Sequence, residues 1–138
     1  MNANSKITLG EDISDLISLT EMVDKFRETY SLSKEVCYNI HLVCEELFVN
    51  FITHSAATDY SKQFSIELAL HDKDLTITVY DNGHPFNPLS ADLPDLTADL
   101  DDRSFGGLGI YLVRHWADNV SYEYQDKMNR IVIKKLVK

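Results

Sequence analysis

A chain of 138 residues with 44% hydrophobic content has the length of one ordinary domain and enough apolar side chains to bury a core, so a second domain is not expected. Its 13 Lys and Arg against 22 Asp and Glu leave a net charge of −9, which argues against a nucleic-acid surface, since gripping a phosphate backbone takes clustered cations, and fits a basic protein partner or simple solubility. No apolar run approaches the roughly 20 residues of a membrane span, and the opening MNANSKITLGED has no basic stretch followed by an apolar one, so a cytoplasmic location is expected.

A short strand is expected at 6–9, followed by a helix in which Ile13, Leu16, Ile17, Thr20, Val23 and Phe26 share one face. Residues 31–33 break that helix, and Ser33 is placed to cap the next, with Glu35 in its first turn complementing the helix dipole. In this second helix Glu46, Asn50 and His54 recur every four residues and line one stripe, while Val43, Leu47, Phe48, Phe51 and Ile52 are apolar. Such a helix packs one side on a core and turns a carboxylate, an amide and an imidazole toward a cleft. A carboxylate beside an amide oxygen suits a hard divalent cation such as Mg²⁺, which takes oxygen ligands and bridges phosphates. Glu45 lies roughly 140° from Asn50 around the helix, so Glu46 is assigned to chemistry and Glu45 to a solvated or capping role. Cys37 and Cys44, roughly 10 Å apart along the same helix, are beyond disulfide reach and read as reduced thiols without a zinc pattern beside them. His41, His71, His84 and His115 share no ligand spacing and read as surface or edge residues.

Phe64, Ile66, Leu68 and Leu70 alternate as a strand, and a four-residue loop at 71–74 leads into a second strand at 75–80, LTITVY. Asp81-Asn82-Gly83 then stops the strand with residues that tolerate positive φ, the usual makings of a turn. An Asp at a strand end followed by Gly also leaves the backbone open to a flat ligand, and its carboxylate can accept the exocyclic amine of adenine. The stretch 89–102, rich in Asp, Leu and Pro, is long enough for a mobile lid, and Asp92, Asp95, Asp99, Asp101 and Asp102 give it a run of like charge. Gly106, Gly107, Leu108 and Gly109 open IYLVRHWADNV, in which Ile110, Leu112, Val113 and Trp116 have helical spacing. Glycines at a helix start let backbone N–H groups point at a phosphate with the positive end of the dipole behind them, although hinges use the same residues. A closing hairpin is expected from strands at 120–124 and 130–137 around a turn at 126–129 supplied by Asn129. Helices and strands segregate in pairs, which implies an α+β two-layer sandwich with helices on one face of a mixed, mostly antiparallel sheet.

Taken in order, EELFVN with His54 after it, DNGHPF and GGLGIYLV resemble the ATP-binding (Bergerat) fold shared by DNA gyrase, the chaperone Hsp90, sensor histidine kinases and MutL. Within that superfamily the chain is most similar to the small serine kinases that act as anti-sigma factors in bacteria, from the strand at 7–9 to the terminal NRIVIKKL. The resemblance implies Glu46 as general base, Asn50 as Mg²⁺ ligand, Asp81 on adenine and Gly83 packed beside the base. Gly106, Gly107, Leu108 and Gly109 would surround the phosphates, with His54, Pro85 and Phe86 completing the cofactor-binding set. A short lid would span 87–105, with Arg103 near its end reaching the terminal phosphates or a partner. The implied activity is that of a serine/threonine protein kinase using ATP and Mg²⁺, with a STAS-type anti-sigma-factor antagonist as acceptor, a sigma factor as second partner and a homodimeric state. The alternative is a regulatory module that binds ATP, or nothing, and grips its partner without catalysis. The catalytic piece of a split histidine kinase ranks below both, and gyrase-like or chaperone ATPases need transducer domains for which this length has no room.

Overall fold

The structure, a computed structural model, describes residues 2–9, 13–54, 63–83, 85, 87 and 107–137. Their elements, in chain order, are β1 (Asn2–Leu9), α1 (Leu16–Tyr30), α2 (Lys34–His54), β2 (Phe64–His71), β3 (Asp74–Asp81), α3 (Gly107–Trp116), β4 (Asn119–Gln125) and β5 (Met128–Leu136). Alternation decides which face of the sheet is dry. Phe64, Ile66, Leu68 and Leu70 of β2, Leu75, Ile77 and Val79 of β3, and Ile131 and Ile133 of β5 are all buried, and the helices cover that face. The opposite face carries Lys6, Tyr80 and Arg130, with both cations 5.9 Å from the Tyr80 ring.

Two of the helices owe their position to apolar stripes. In α1 the buried residues are Leu19, Val23 and Phe26, spaced to share one face. Ile17, expected on that face, is 65% exposed, because it sits roughly 160° around the helix from Leu19. Ser31 ends α1 in the left-handed region at φ 55°, its N–H donating to Arg27 O. Ser33 then caps α2 as expected, its Oγ accepting from Val36 N at 3.1 Å. Along α2, Cys37, Ile40, Val43, Cys44, Leu47, Phe48 and Phe51 form a continuous buried stripe. Phe48 and Phe51 meet Phe64 of β2 at ring centroid distances of 5.0 and 5.4 Å, fixing the second half of α2 to the sheet. Each such ring pair contributes about 0.5–1.5 kcal/mol beyond its buried area.

The strand order is β1-β2-β3-β5-β4, and all four pairings are antiparallel. The α+β sandwich is as expected, but the mixed sheet is not. β3 and β4 run in the same direction, joined by the segment that carries α3. They do not pair, because β5 folds back between them. The β2–β3 connection is also tighter than expected, a two-residue turn at 72–73 with Asp72 at φ 54°. The last hairpin turns on Asp126 and Lys127, at φ 55° and 63°, and both belong outside the strands. Asn129, expected in that turn, lies inside β5.

Candidate nucleotide site

The end of β3 is built by side chains folding back on the backbone. Asp81 Oδ1 accepts from Gly83 N at 2.9 Å, and Asn82 Oδ1 accepts from Gln63 N at 2.8 Å while Asn82 N donates to Gln63 O at 3.2 Å. Although both residue types tolerate positive φ, neither Asp81 nor Asn82 takes it; the side-chain bonds make the corner instead. Gly83 is buried, where any larger side chain would crowd the corner.

Asn129 completes this corner from β5. The register pairs Asp81 with Asn129, whose side chain faces the core with Ile131 and Ile133, and Asn129 is only 2% exposed. Its Nδ2 donates to Asp81 Oδ1 at 2.8 Å and to Gly83 O at 3.4 Å, and its Oδ1 accepts from the Tyr122 hydroxyl. The Asp81 carboxylate, which only accepts, fixes which way the amide points, and the Tyr122 hydroxyl donates to its other end. A flipped amide would set its oxygen against the Asp81 carboxylate. Burial pushes the Asp81 carboxyl above its ordinary value, and the bonds from Asn129 and Gly83 hold it down in part. Both of these bonds fall on Oδ1, which leaves Oδ2 as the oxygen placed to receive a donor from a ligand. Beside the corner opens a cavity of about 490 Å³ lined by Asn82, Gly83, Pro85, Tyr124, Asp126, Lys127 and Met128, within the size range of small-molecule sites. It holds Gly83 and Pro85 of the expected set, but Asp81, Glu46 and Asn50 do not line it.

Glu46 and Asn50 flank the buried stripe of α2 on one side, both half-buried. Glu46 Oε1 is out of contact with water and has no hydrogen-bond partner among the described residues. Burial alone pushes its carboxyl up to about 7. A buried oxygen without a donor is costly, and a water, an ion or a reacting group is the kind of partner that offsets it. Asn50, one turn on, offers an amide oxygen on the same side, so the pair presents the oxygen donors that a hard divalent cation takes. His54 is the last residue of α2.

The third group opens α3, which packs against α2. Gly107 is its first residue, with Leu108 and Gly109 in the first turn, so the glycines do stand at a helix N-terminus. Gly106, Phe86 and Arg103 lie outside the described residues, as does all of the expected lid from residue 88 onward. Asn129 and Tyr122 are what the sequence reading missed. The available signal was an Asn in step with Ile131 and Ile133 on the apolar face of a strand, where an amide needs a partner.

The family described as the histidine kinase-like ATPase domain matches residues 12–135. The chain is 26% identical to the serine/threonine-protein kinase BtrW of Bordetella bronchiseptica over 101 residues, 73% of this chain and 71% of that protein. Among solved structures it is similar to the RsbU and RsbW domains of Rv1364c from Mycobacterium tuberculosis, with a TM-score of 0.69 at 14% identity. That likeness covers 98% of this chain and 32% of the other, so the chain spans about a third of that relative's length, and it bears on the fold alone.

Proposed function

The chain belongs to the histidine kinase-like ATPase domain family, and from that premise we propose that it is an ATP-dependent serine/threonine protein kinase acting as an anti-sigma regulatory factor. The observation that carries the reading is Glu46, a carboxyl held near 7 with one oxygen buried and unpartnered among the described residues. A general base works best with a pKa close to the working pH, and a ligand-ordering carboxylate has no need of that tuning.

In this reading Asp81, oriented by Asn129 and Gly83, accepts the purine amine through Oδ2, and the first turn of α3 turns N–H groups toward the phosphates. Asn50 would hold Mg²⁺, with Glu46 close by; the ion, when bound, supplies charge neutralisation between the phosphate oxygens. Glu46 takes the proton of an acceptor serine or threonine hydroxyl as that oxygen bonds to the γ-phosphorus. The bond from the γ-phosphorus to the bridging oxygen breaks, and ADP leaves with its electron pair. The acceptor is a STAS-type antagonist, the second partner a sigma factor, and the working form a cytoplasmic homodimer. Similarity to BtrW, itself named a serine/threonine-protein kinase, supports the kinase class.

The test mixes the purified chain with labelled ATP, Mg²⁺ and a candidate STAS protein. Label is expected on a serine or threonine of the acceptor with wild type and not with Glu46→Gln. Partner regulation that survives intact in Glu46→Gln would instead select the non-catalytic binding module.

A further inference from the structure

Away from the nucleotide site, and among the described residues, Asp24 of α1 and Cys37 and His41 of α2 bring a carboxylate oxygen, a sulfur and a ring nitrogen within 4.8 Å of one another. From this juxtaposition we infer a second site, a three-ligand centre for a borderline divalent transition metal, Zn²⁺ by preference, that clamps α1 to α2.

Cys37 and His41 stand four residues apart and therefore on one side of α2, a turn from each other. Asp24 faces them, its Oδ1 2.8 Å from His41 Nε2 and 3.8 Å from Cys37 Sγ. Zinc bonds of about 2.0–2.2 Å to nitrogen or oxygen and about 2.3 Å to sulfur, at the tetrahedral angle, hold ligand atoms roughly 3.3–3.6 Å apart. The sulfur–oxygen separation already lies close to that range. The nitrogen–oxygen pair must open by about 0.5 Å, which exchanges one hydrogen bond for two metal bonds. Rotation of Asp24 accomplishes it, since that side chain is 61% exposed and hemmed in by little, whereas the His41 side chain is 19% exposed and Cys37 is 6% exposed, both set by the packing of α2. The open side at Asp24 also admits the ion and leaves its fourth position to water.

The donor set chooses the metal. Sulfur and imidazole nitrogen do not suit Mg²⁺ or Ca²⁺, which take oxygen, and a thiolate, an imidazole and a carboxylate together suit Zn²⁺ and its probe Co²⁺. On binding, the Cys37 S–H bond breaks, the proton leaves to solvent and the sulfur pair goes to the metal. His41 binds as neutral imidazole through Nε2. Two negative ligands then match the divalent charge, so the buried end of the site closes without net charge. Without metal, burial and then the Asp24 carboxylate keep the thiol protonated, an effect that a cation reverses. The Cys-x3-His spacing has no second Cys or His pair in the sequence, and the third ligand arrives from another helix, so the site emerges only from the α1–α2 packing.

The full chain, stripped of metal with a chelator and then freed of it, is titrated with Co²⁺ in a thiol-free buffer. A thiolate-to-cobalt charge-transfer band and tetrahedral d–d bands are expected to saturate at one ion per chain and to vanish when Zn²⁺ is added. Cys37→Ser loses the charge-transfer band, and Cys44→Ser keeps it. Asp24→Asn, a change on an exposed side chain that leaves folding intact, and His41→Ala each weaken binding at least about tenfold. The inference is overturned if wild type gives no band, if the band persists in Cys37→Ser, or if Asp24→Asn binds as wild type does.

Discussion

Replacing Glu46 with Gln should change the pH dependence of stability as well as activity. Folded Glu46 titrates near 7 against an ordinary 4.5, so it binds its proton more tightly than the unfolded chain does. Between these two values the folded state holds more protons, and stability falls as pH rises; the penalty is absent below about 4.5 and complete above about 7. At full burial that displacement corresponds to about 3 kcal/mol, and water on the open side of Glu46 screens it to about 1–2 kcal/mol. Gln keeps the shape and cannot ionise. Urea unfolding near pH 4.5 and again near pH 8 should therefore show Glu46→Gln gaining about 1–2 kcal/mol on wild type between the two conditions, roughly a 0.5–1 M shift in midpoint. Any fixed cost of the amide cancels in the comparison. An identical stability difference at both pH values would refute the claim that the Glu46 carboxylate is held in a site hostile to its charge. Phosphotransfer by wild type should in turn climb through pH 7 and level off above it. Loss of the base should lower it about 10²–10⁴-fold.

Asn129→Ala removes the donor to Asp81 Oδ1 and Gly83 O, at a cost of about 1–3 kcal/mol in orienting the carboxylate, so calorimetry with a non-hydrolysable ATP analogue should show binding weakened about 10- to 100-fold. Tyr122→Phe leaves that donor in place but removes the hydrogen bond to the amide oxygen; a loss of about 1 kcal/mol in thermal unfolding is expected, with a smaller fall in nucleotide affinity. Ser33→Ala deletes the cap on Val36 N and should cost about 1 kcal/mol in urea unfolding while leaving nucleotide binding unchanged.

Local chemistry explains which parts of the fold were legible from sequence. The cap at Ser33 and the stripe of α2 depend on residues within a few positions of one another, and both were read correctly. β1 was expected at 6–9 and runs from Asn2 because β2 offers it a partner at every position from His71 back to Phe64, a fact of pairing and not of local pattern. The mixed sheet failed for the same reason: sequence order placed β4 after a helix, but only the whole sheet shows that β5 occupies the place beside β3.

The site divides along that line too. Asp81 announced itself by standing between an alternating strand and a glycine, and Glu46 by its spacing to Asn50. Asn129 looked like a turn former because it follows Asp126 and Lys127, yet two positive-φ residues already complete the turn and return the chain to the strand at Met128. From there, alternation puts the side chain of Asn129 on the dry face, and the register brings it to Asp81, 48 residues earlier in the chain. On that face an amide with no partner would cost about 1–3 kcal/mol. Asn129 instead spends both ends of its amide, one on Tyr122 and one on the corner at Asp81 and Gly83. The corner that would face a purine is thus held from a strand that lies outside the motif in sequence and reaches it only through the sheet.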